Sequence, residues 1–305
     1  MSASPPGDLK DGAAFAARLA AIYEPATLEV VGQPNPWVTF WANPLRPGTE
    51  LPRGEPVPGA PGLFMSADRE AVTHSAAAGD GCLYVQNPSS WLAACVVDPQ
   101  PGDEVLDLAA APGGKTIAMA AAMANEGRIA AVEPVPARFH RLRANLDRCG
   151  VTIAALYQKD GRGVGRLVPE RFDRVLLDAP CSSEARMRWD EPASYRHWSL
   201  RKVRETSRKQ KRLLRSAYAA LKPGGVLVYC TCSFSPEENE LVVQQLLAAS
   251  DAALLPVLLD EAVPAMPALT TWQGKALSDE LAHAVRVLPA APWEGFFLAR
   301  LTKPA

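Results

Sequence analysis

Apolar and polar positions change rhythm about 85 residues into the chain. From Val85 onward, short apolar runs alternate with stretches of helical spacing, the pattern of a parallel sheet covered on both faces. The runs predict seven strands: 104–108, 128–133, 152–157, 173–178, 226–230, 284–288 and 295–301. Between the fourth and fifth, Leu200, Val203, Ser207, Gln210, Leu214, Ala217 and Leu221 recur three or four apart and predict a long amphipathic helix, which Lys222-Pro-Gly-Gly stops. Upstream the signal is weaker. A helix is expected over 11–23 and a strand over 37–41, followed by prolines at 44, 47, 52, 56, 58 and 61 that interrupt helix and ladder alike. The expectation is an α/β chain: a small α+β extension over 1–80, then a domain over 81–305 built on a seven-stranded, mostly parallel sheet with helices on both faces.

Composition narrows this. With 305 residues, 48% hydrophobic and 21% charged, the chain has the balance of a folded globular protein, which excludes bulk disorder. No apolar run approaches the ~18 residues of a membrane span, and the N-terminus lacks the basic-then-apolar order of a signal peptide. A cytoplasmic protein without a membrane partner is expected. Six cysteines are too few for a disulfide scaffold and are expected reduced, and four scattered histidines have no ligand spacing, so no metal is expected. Cys82, Cys95 and Cys149 are read as small buried hydrophobes. The net charge of −1 conceals segregation: residues 186–215 hold eleven Arg or Lys against three acids, and 233–280 hold eight acids against one Lys.

The first strand runs into Asp107-Leu-Ala-Ala-Ala-Pro-Gly-Gly-Lys-Thr116, a loop able to cradle a ligand at a helix N-terminus. Ala109-x-x-x-x-Gly114-Lys115-Thr116 also resembles a degenerate nucleotide-triphosphate loop, with Asp178 as its metal-binding aspartate. Against that, Ala109 stands where such loops turn on glycine, and Pro112 removes a backbone donor. Glu133 lies where nucleoside-binding sheets hold ribose hydroxyls, and Asp160 lies within reach of an adenine amine. Acids at 107, 133, 160 and 178 thus close four successive strands, a set suited to a cationic, adenosine-bearing cofactor, S-adenosyl-L-methionine, rather than a polyanion.

Asp178-Ala-Pro-Cys181 and Tyr229-Cys-Thr-Cys232 end the fourth and fifth strands, so one cleft can receive two thiols and a carboxylate. Carbon 5 of a pyrimidine is a weak nucleophile. A thiolate adding at carbon 6 turns the ring into an enamine that attacks a methyl sulfonium, which is covalent catalysis by cysteine. A hydrogen-bonding Asp178 would stabilise the charge gained at the ring nitrogen, and the second thiol would serve as base or release group. This chemistry alone leaves Cys181 and Cys232 as rival nucleophiles, while Cys230, deeper in the strand, is read as packing.

Over residues 83–302 the chain resembles the Nop/Sun family of RNA cytosine-5 methyltransferases. The resemblance is carried by Gln86-Asn-Pro-Ser-Ser-Trp, the 107–116 loop, Glu133-x4-Arg138-x3-Leu142-x2-Asn145, Asp178-Ala-Pro-Cys-Ser-Ser, Leu221-Lys-Pro-Gly-Gly, Thr231-Cys-Ser-x-x-Pro-Glu-Glu-Asn-Glu240 and Gly295-Phe-Phe-x-Ala. It implies a class I Rossmann-like methyltransferase fold with S-adenosylmethionine as cofactor. The cofactor site would be lined by Ala109, Ala110, Ala111, Pro112, Gly113, Gly114, Lys115, Glu133, Asp160 and Asp178, supported by Arg138. It further implies Cys232 as nucleophile and Cys181 as the group that assists release. Cys230 and the Ala290-Ala-Pro-Trp run depart from the family pattern. The expected partner is RNA, ribosomal before transfer RNA, held by the basic block, with Arg188, Trp189 and Arg196 available for stacking and phosphate contact and the extension supplementing the site. A monomer is expected. A non-catalytic RNA-binding assembly factor and a DNA methyltransferase are the competing classes.

Overall fold

The computed structural model describes residues 5–48 and 50–305; within the expected extension, residues 1–4 and 49 lie outside the described set. All seven predicted strands are present, with shifted ends: Glu104–Asp107, Arg128–Val132, Ala154–Tyr157, Phe172–Asp178, Leu221–Thr231, Val285–Val287 and Phe296–Thr302. In space they run third, second, first, fourth, fifth, seventh, sixth. The first five are parallel neighbours, and the seventh lies antiparallel between the fifth and sixth. Two short strands missing from the sequence reading, Ala253–Leu255 and Ala265–Pro267, extend the edge to nine. Each is only three residues long, too short for a periodic signal.

Alternation along the strands sorts their side chains into two layers. Val105, Ile129, Ala131, Leu176 and Val228 face the helices Pro88–Val97, Gly114–Ala122 and Pro136–Arg148. Leu106, Ala130, Val132, Val175, Leu177 and Leu227 face Leu200–Ala220 and Glu240–Leu247. The long helix keeps the predicted stripe, burying Val203, Ser207, Gln210, Leu214 and Ala217. Chain order reverses between the first and fourth strands, and there the carboxyl ends open a crevice, the position at which open α/β sheets bind ligands.

The N-terminal region divides in two. Its sheet orders Glu55–Pro56, Leu63–Ser66, Val38–Ala42 and Leu83–Val85, so the sheet draws on residues beyond position 80. Phe40 and Trp41 are buried in cores, not presented as a binding surface. The helix Gly12–Ala20 instead lies against the basic block: the Phe15 ring meets Trp198 at 5.0 Å and Trp189 at 6.1 Å. Gly32, at φ +77, admits Trp189 so closely that a Cβ there would fall 2.1 Å from the ring. Trp189 is therefore committed to packing, whereas Arg188 stays exposed beside Asp190. Cys149 is buried as read, but Cys95 is exposed on its helix.

One buried ion pair joins these parts. The Arg286 guanidinium donates to Glu240 Oε1 and Oε2 at 2.7 and 2.6 Å, to the Tyr23 hydroxyl at 2.9 Å and to the Phe234 carbonyl at 3.0 Å. Both partners are sealed, at 1% and 0% exposure. Arg286→Ala would strand the Glu240 carboxylate without its cation and is expected to cost about 3–5 kcal/mol. Urea unfolding checks this; a loss below about 1 kcal/mol would contradict the assigned role of the pair.

Candidate active site

The crevice holds a cavity of about 810 Å³. Its lining includes Ala109, Ala110, Ala111, Pro112, Gly114, Lys115, Glu133, Arg138, Asp160, Asp178, Cys181 and Cys232, so of the expected site residues only Gly113 lies off it. Gly113 works from behind: at φ +114 it occupies a backbone region open to glycine and caps the helix Gly114–Ala122. The loop is braced from the next helix, where Arg138 donates to the Ala111 carbonyl at 2.7 Å and Asn145 to that of Pro112 at 2.8 Å.

One end of the cavity is acidic. Asp107 is buried, with Oδ2 accepting from the Thr116 hydroxyl at 2.7 Å and Oδ1 left without a partner; burial pushes its carboxyl up to about 6. Glu133, just past the second strand, accepts from the Val135 amide at 2.9 Å and lies 3.5 Å from Arg138. Asp160 is not a strand end as expected: the third strand stops at Tyr157, and Asp160 caps the turn Gly161–Gly163, half-exposed and paired with Arg162, which holds its carboxyl below the ordinary range. An orphaned buried carboxylate oxygen in an acid-lined cavity matches a cofactor with a cationic end, ribose hydroxyls and an adenine amine. The residues fit S-adenosylmethionine.

The other end carries the thiols. Cys181 and Cys232 Sγ stand 3.2 Å apart. Cys232 is pulled down to about 7, first by the hydrogen bond from Cys181 and, against the cost of burial, by the Arg186 charge and Ser183. Cys181 is pushed well up by the same contact and by burial. The contact therefore favours the thiolate on Cys232 and the proton on Cys181. Beside them, Lys115 donates to Asp178 Oδ2 at 2.6 Å and to the Ser90 hydroxyl at 2.5 Å. Burial works to lower the Lys115 ammonium, and Asp178 more than offsets it. Lys115 therefore turns from the loop toward the thiol end. Cys230, read as packing, is buried as expected and also donates to Asp178 Oδ1 at 3.7 Å.

Two carboxylates to which the sequence reading gave no role fix this geometry. Glu184, three residues after Cys181, accepts from the Phe234 and Ser235 amides at 2.7 and 2.8 Å, from the Ser233 and Ser235 hydroxyls and from the Trp198 indole, thereby holding the segment after Cys232. Glu238, six residues after Cys232, accepts from the Ser182 amide at 3.0 Å and from its hydroxyl, holding the segment after Cys181. Arg186, Ser90 and Gln86 are further lining residues that sequence reasoning left without a role. The quoted motifs contained Gln86 and Ser90, and Arg186 opens the basic block, so a signal existed for each. Glu294 of the final loop comes to 4.0 Å from Arg186, which places that departing segment at the site.

An acid-lined pocket on a parallel sheet, closed by a thiol pair, defines a methyltransferase that uses S-adenosylmethionine. Residues 94–302 match the profile of the 16S rRNA methyltransferase RsmB/F family, and the chain belongs to that family. It is 45% identical over 229 residues to a tRNA (cytosine(49)-C(5))-methyltransferase of Pyrococcus abyssi, covering 73% of this chain and 71% of that protein. It is 41% identical over 247 residues to the ribosomal RNA small subunit methyltransferase F of Vibrio parahaemolyticus, covering 79% of this chain but half of that protein. The crystal structure of a methyltransferase homolog protein from Pyrococcus horikoshii superposes with a TM-score of 0.77 at 31% identity, over 98% of this chain and 99% of that one.

Because Arg186 supports the Cys232 thiolate, removing its charge raises the thiol. Alkylation of Cys232 by iodoacetamide should reach half its maximal rate near pH 7, the value to which the thiol is held. In Arg186→Gln the profile should move to higher pH. Peptide mass spectrometry of the modified cysteine reads both curves, and superimposable curves would remove Arg186 from the site's electrostatics.

Proposed function

We propose that the chain methylates carbon 5 of a cytosine in RNA, ribosomal RNA by preference, through a covalent bond from Cys232 to carbon 6. The observation that carries this reading is the thiol pair, 3.2 Å apart, with Cys232 as the lowered partner beside the hydrogen-bonded Lys115–Asp178 couple. Cys232 adds to carbon 6, and the density gained at ring nitrogen 3 is met by a proton from the hydrogen-bonded Asp178–Lys115 couple. S-adenosylmethionine, held by the 109–115 loop, Asp107, Glu133 and Asp160, supplies the electrophilic methyl group. The couple then takes its proton back, the proton on carbon 5 passes to solvent water in the open crevice, and the electron pair of that C–H bond re-forms the ring double bond as Cys232 is expelled. The departing thiolate is received by the thiol of Cys181, whose hydrogen bond in the resting pair is the one it would make to the leaving sulfur.

The ribosomal preference is supported by the description of the matched family and by the small-subunit relatives; the archaeal tRNA enzyme, at higher identity, keeps transfer RNA as the second reading. The chain spans about half the length of the ribosomal relatives, so their targets are not carried over whole. The N-terminal extension is assigned to RNA binding, supported by the pairing of its strand Val38–Ala42 with Leu83–Val85, whose Tyr84 and Val85 line the reaction cavity. The reading places the protein in the cytosol as a monomer, where its six free cysteines stay reduced. Among the described residues no helix is long and apolar enough to cross a membrane.

With labelled S-adenosylmethionine and unmodified RNA fractions, wild-type chain should place label in 5-methylcytidine. Cys232→Ala should lose turnover by at least about 10³-fold. Cys181→Ala should accumulate an RNA–protein adduct that survives denaturing electrophoresis. Full turnover by Cys232→Ala would sink the mechanism.

A further inference from the structure

A second cavity, of about 410 Å³, lies between the long helix Leu200–Ala220 and the short helix Val164–Leu167. Arg162, Arg166, Arg212 and Arg215 line it, and no carboxylate does. Arg162 is neutralised by Asp160 at 2.5 Å; the other three form no salt bridge among the described residues. The crowding is enforced by the backbone. Gly165 lies so close to the long helix that a Cβ on it would stand 2.4 Å from the Ser216 carbonyl oxygen. Its amide donates to the Ser216 hydroxyl at 2.9 Å, and that hydroxyl donates to the Gly161 carbonyl at 2.7 Å. Three exposed, unneutralised guanidinium groups held around one opening repel one another unless an anion joins them. The excess is felt nearby: the Lys211 ammonium sits below its ordinary value, through burial first and Arg215 next.

The anion is identified by what adjoins the cavity. Arg162 lines both cavities. Along one helix, Lys209 and Leu213 face the reaction pocket, whereas Arg212, Arg215 and Ser216 face the second cavity. A strand that leaves the reaction pocket on the Lys209–Leu213 side of the long helix would meet these arginines. Guanidinium forks suit phosphodiester oxygens and read no base.

Building on the RNA reading above, we infer that this cavity anchors the phosphodiester backbone of the substrate strand away from the target cytosine. The test compares wild type with R166Q/R212Q/R215Q, reading RNA affinity by fluorescence anisotropy without turnover, and methyl transfer separately. The triple variant should bind a long RNA about tenfold more weakly at physiological salt, and its log Kd against log salt slope should fall by about 2, at ~0.7 per lost phosphate contact. Binding of S-adenosylhomocysteine should be unchanged, and kcat should stay within about twofold while KM rises. R166K/R212K/R215K should recover most of the slope. Unchanged affinity and slope would overturn the inference. So would an equal loss for a trinucleotide that fills only the reaction pocket, or stabilisation of wild type over the variant by inorganic phosphate but not by RNA. Arginine-dependent RNA binding without any methyl transfer by wild type would uphold the cavity's role and overturn the proposed reaction instead.

Discussion

The site depends on an exchange of carboxylates between two chain segments. Cys181 and Cys232 close different strands, 51 residues apart, and their sulfurs have to stay within 3.2 Å to share one proton. The parallel ladder of the fourth and fifth strands ends at Asp178 opposite Cys230, and past it one backbone bond, from the Ala185 amide to the Cys232 carbonyl at 3.1 Å, still links the two segments. Beyond that point Glu184 crosses from the Cys181 segment to the amides after Cys232, and Glu238 crosses back to the amide after Cys181. Glu184 accepts from five donors. Glu238, held up to about 8 by burial and by the charge of Glu184, carries its proton near neutral pH. The arrangement thereby avoids two adjacent buried charges, which would repel strongly in this surrounding.

The same economy of charge extends along the cavity. Its acidic end suits a sulfonium cofactor, and its thiol end keeps the counter-charges, Lys115 and Arg186, around Asp178 and Cys232. A thiolate in this interior needs a cation and a donor to persist. Arg186 gives the first and Cys181 the second. Farther out, arginines without carboxylate partners occupy the rim where an RNA strand would run. The near-zero net charge is thus the sum of regions with different duties, as the segregation of residues 186–215 from 233–280 indicated.

What was legible in the sequence was what local pattern encodes. The parallel strands are continuous apolar runs because helices cover both faces, and acids or cysteines mark the positions where those runs meet the crevice. The long helix declared itself through one buried stripe. Asp160 lines the cavity although its strand ends three residues earlier, since a turn-capping acid and a strand-end acid read alike in sequence. Glu184 and Glu238 were given no role, although the second stood in a quoted motif, because their meaning lies in contacts across 49 to 56 residues that no spacing rule contains. Trp189 was misread for the complementary reason. An aromatic beside arginines reads as a stacking platform until Phe15 and Gly32, more than 150 residues upstream, are seen to enclose it.

A shared proton explains why two thiols serve where one nucleophile would suffice for attack. A lone buried cysteine is pushed up by burial, as Cys230 is despite Lys115, and would be a poor nucleophile at neutral pH. Pairing lowers one sulfur at the expense of the other. In the proposed cycle the lowered sulfur becomes a thioether and loses its charge, so the hydrogen bond from Cys181 loses its acceptor for as long as the adduct lasts. When the ring re-forms and the thiolate begins to depart, that acceptor returns, and the bond strengthens as the carbon–sulfur bond lengthens. The donor that activates the nucleophile in the resting enzyme is therefore placed to favour its release, and both effects depend on the one distance that Glu184 and Glu238 maintain.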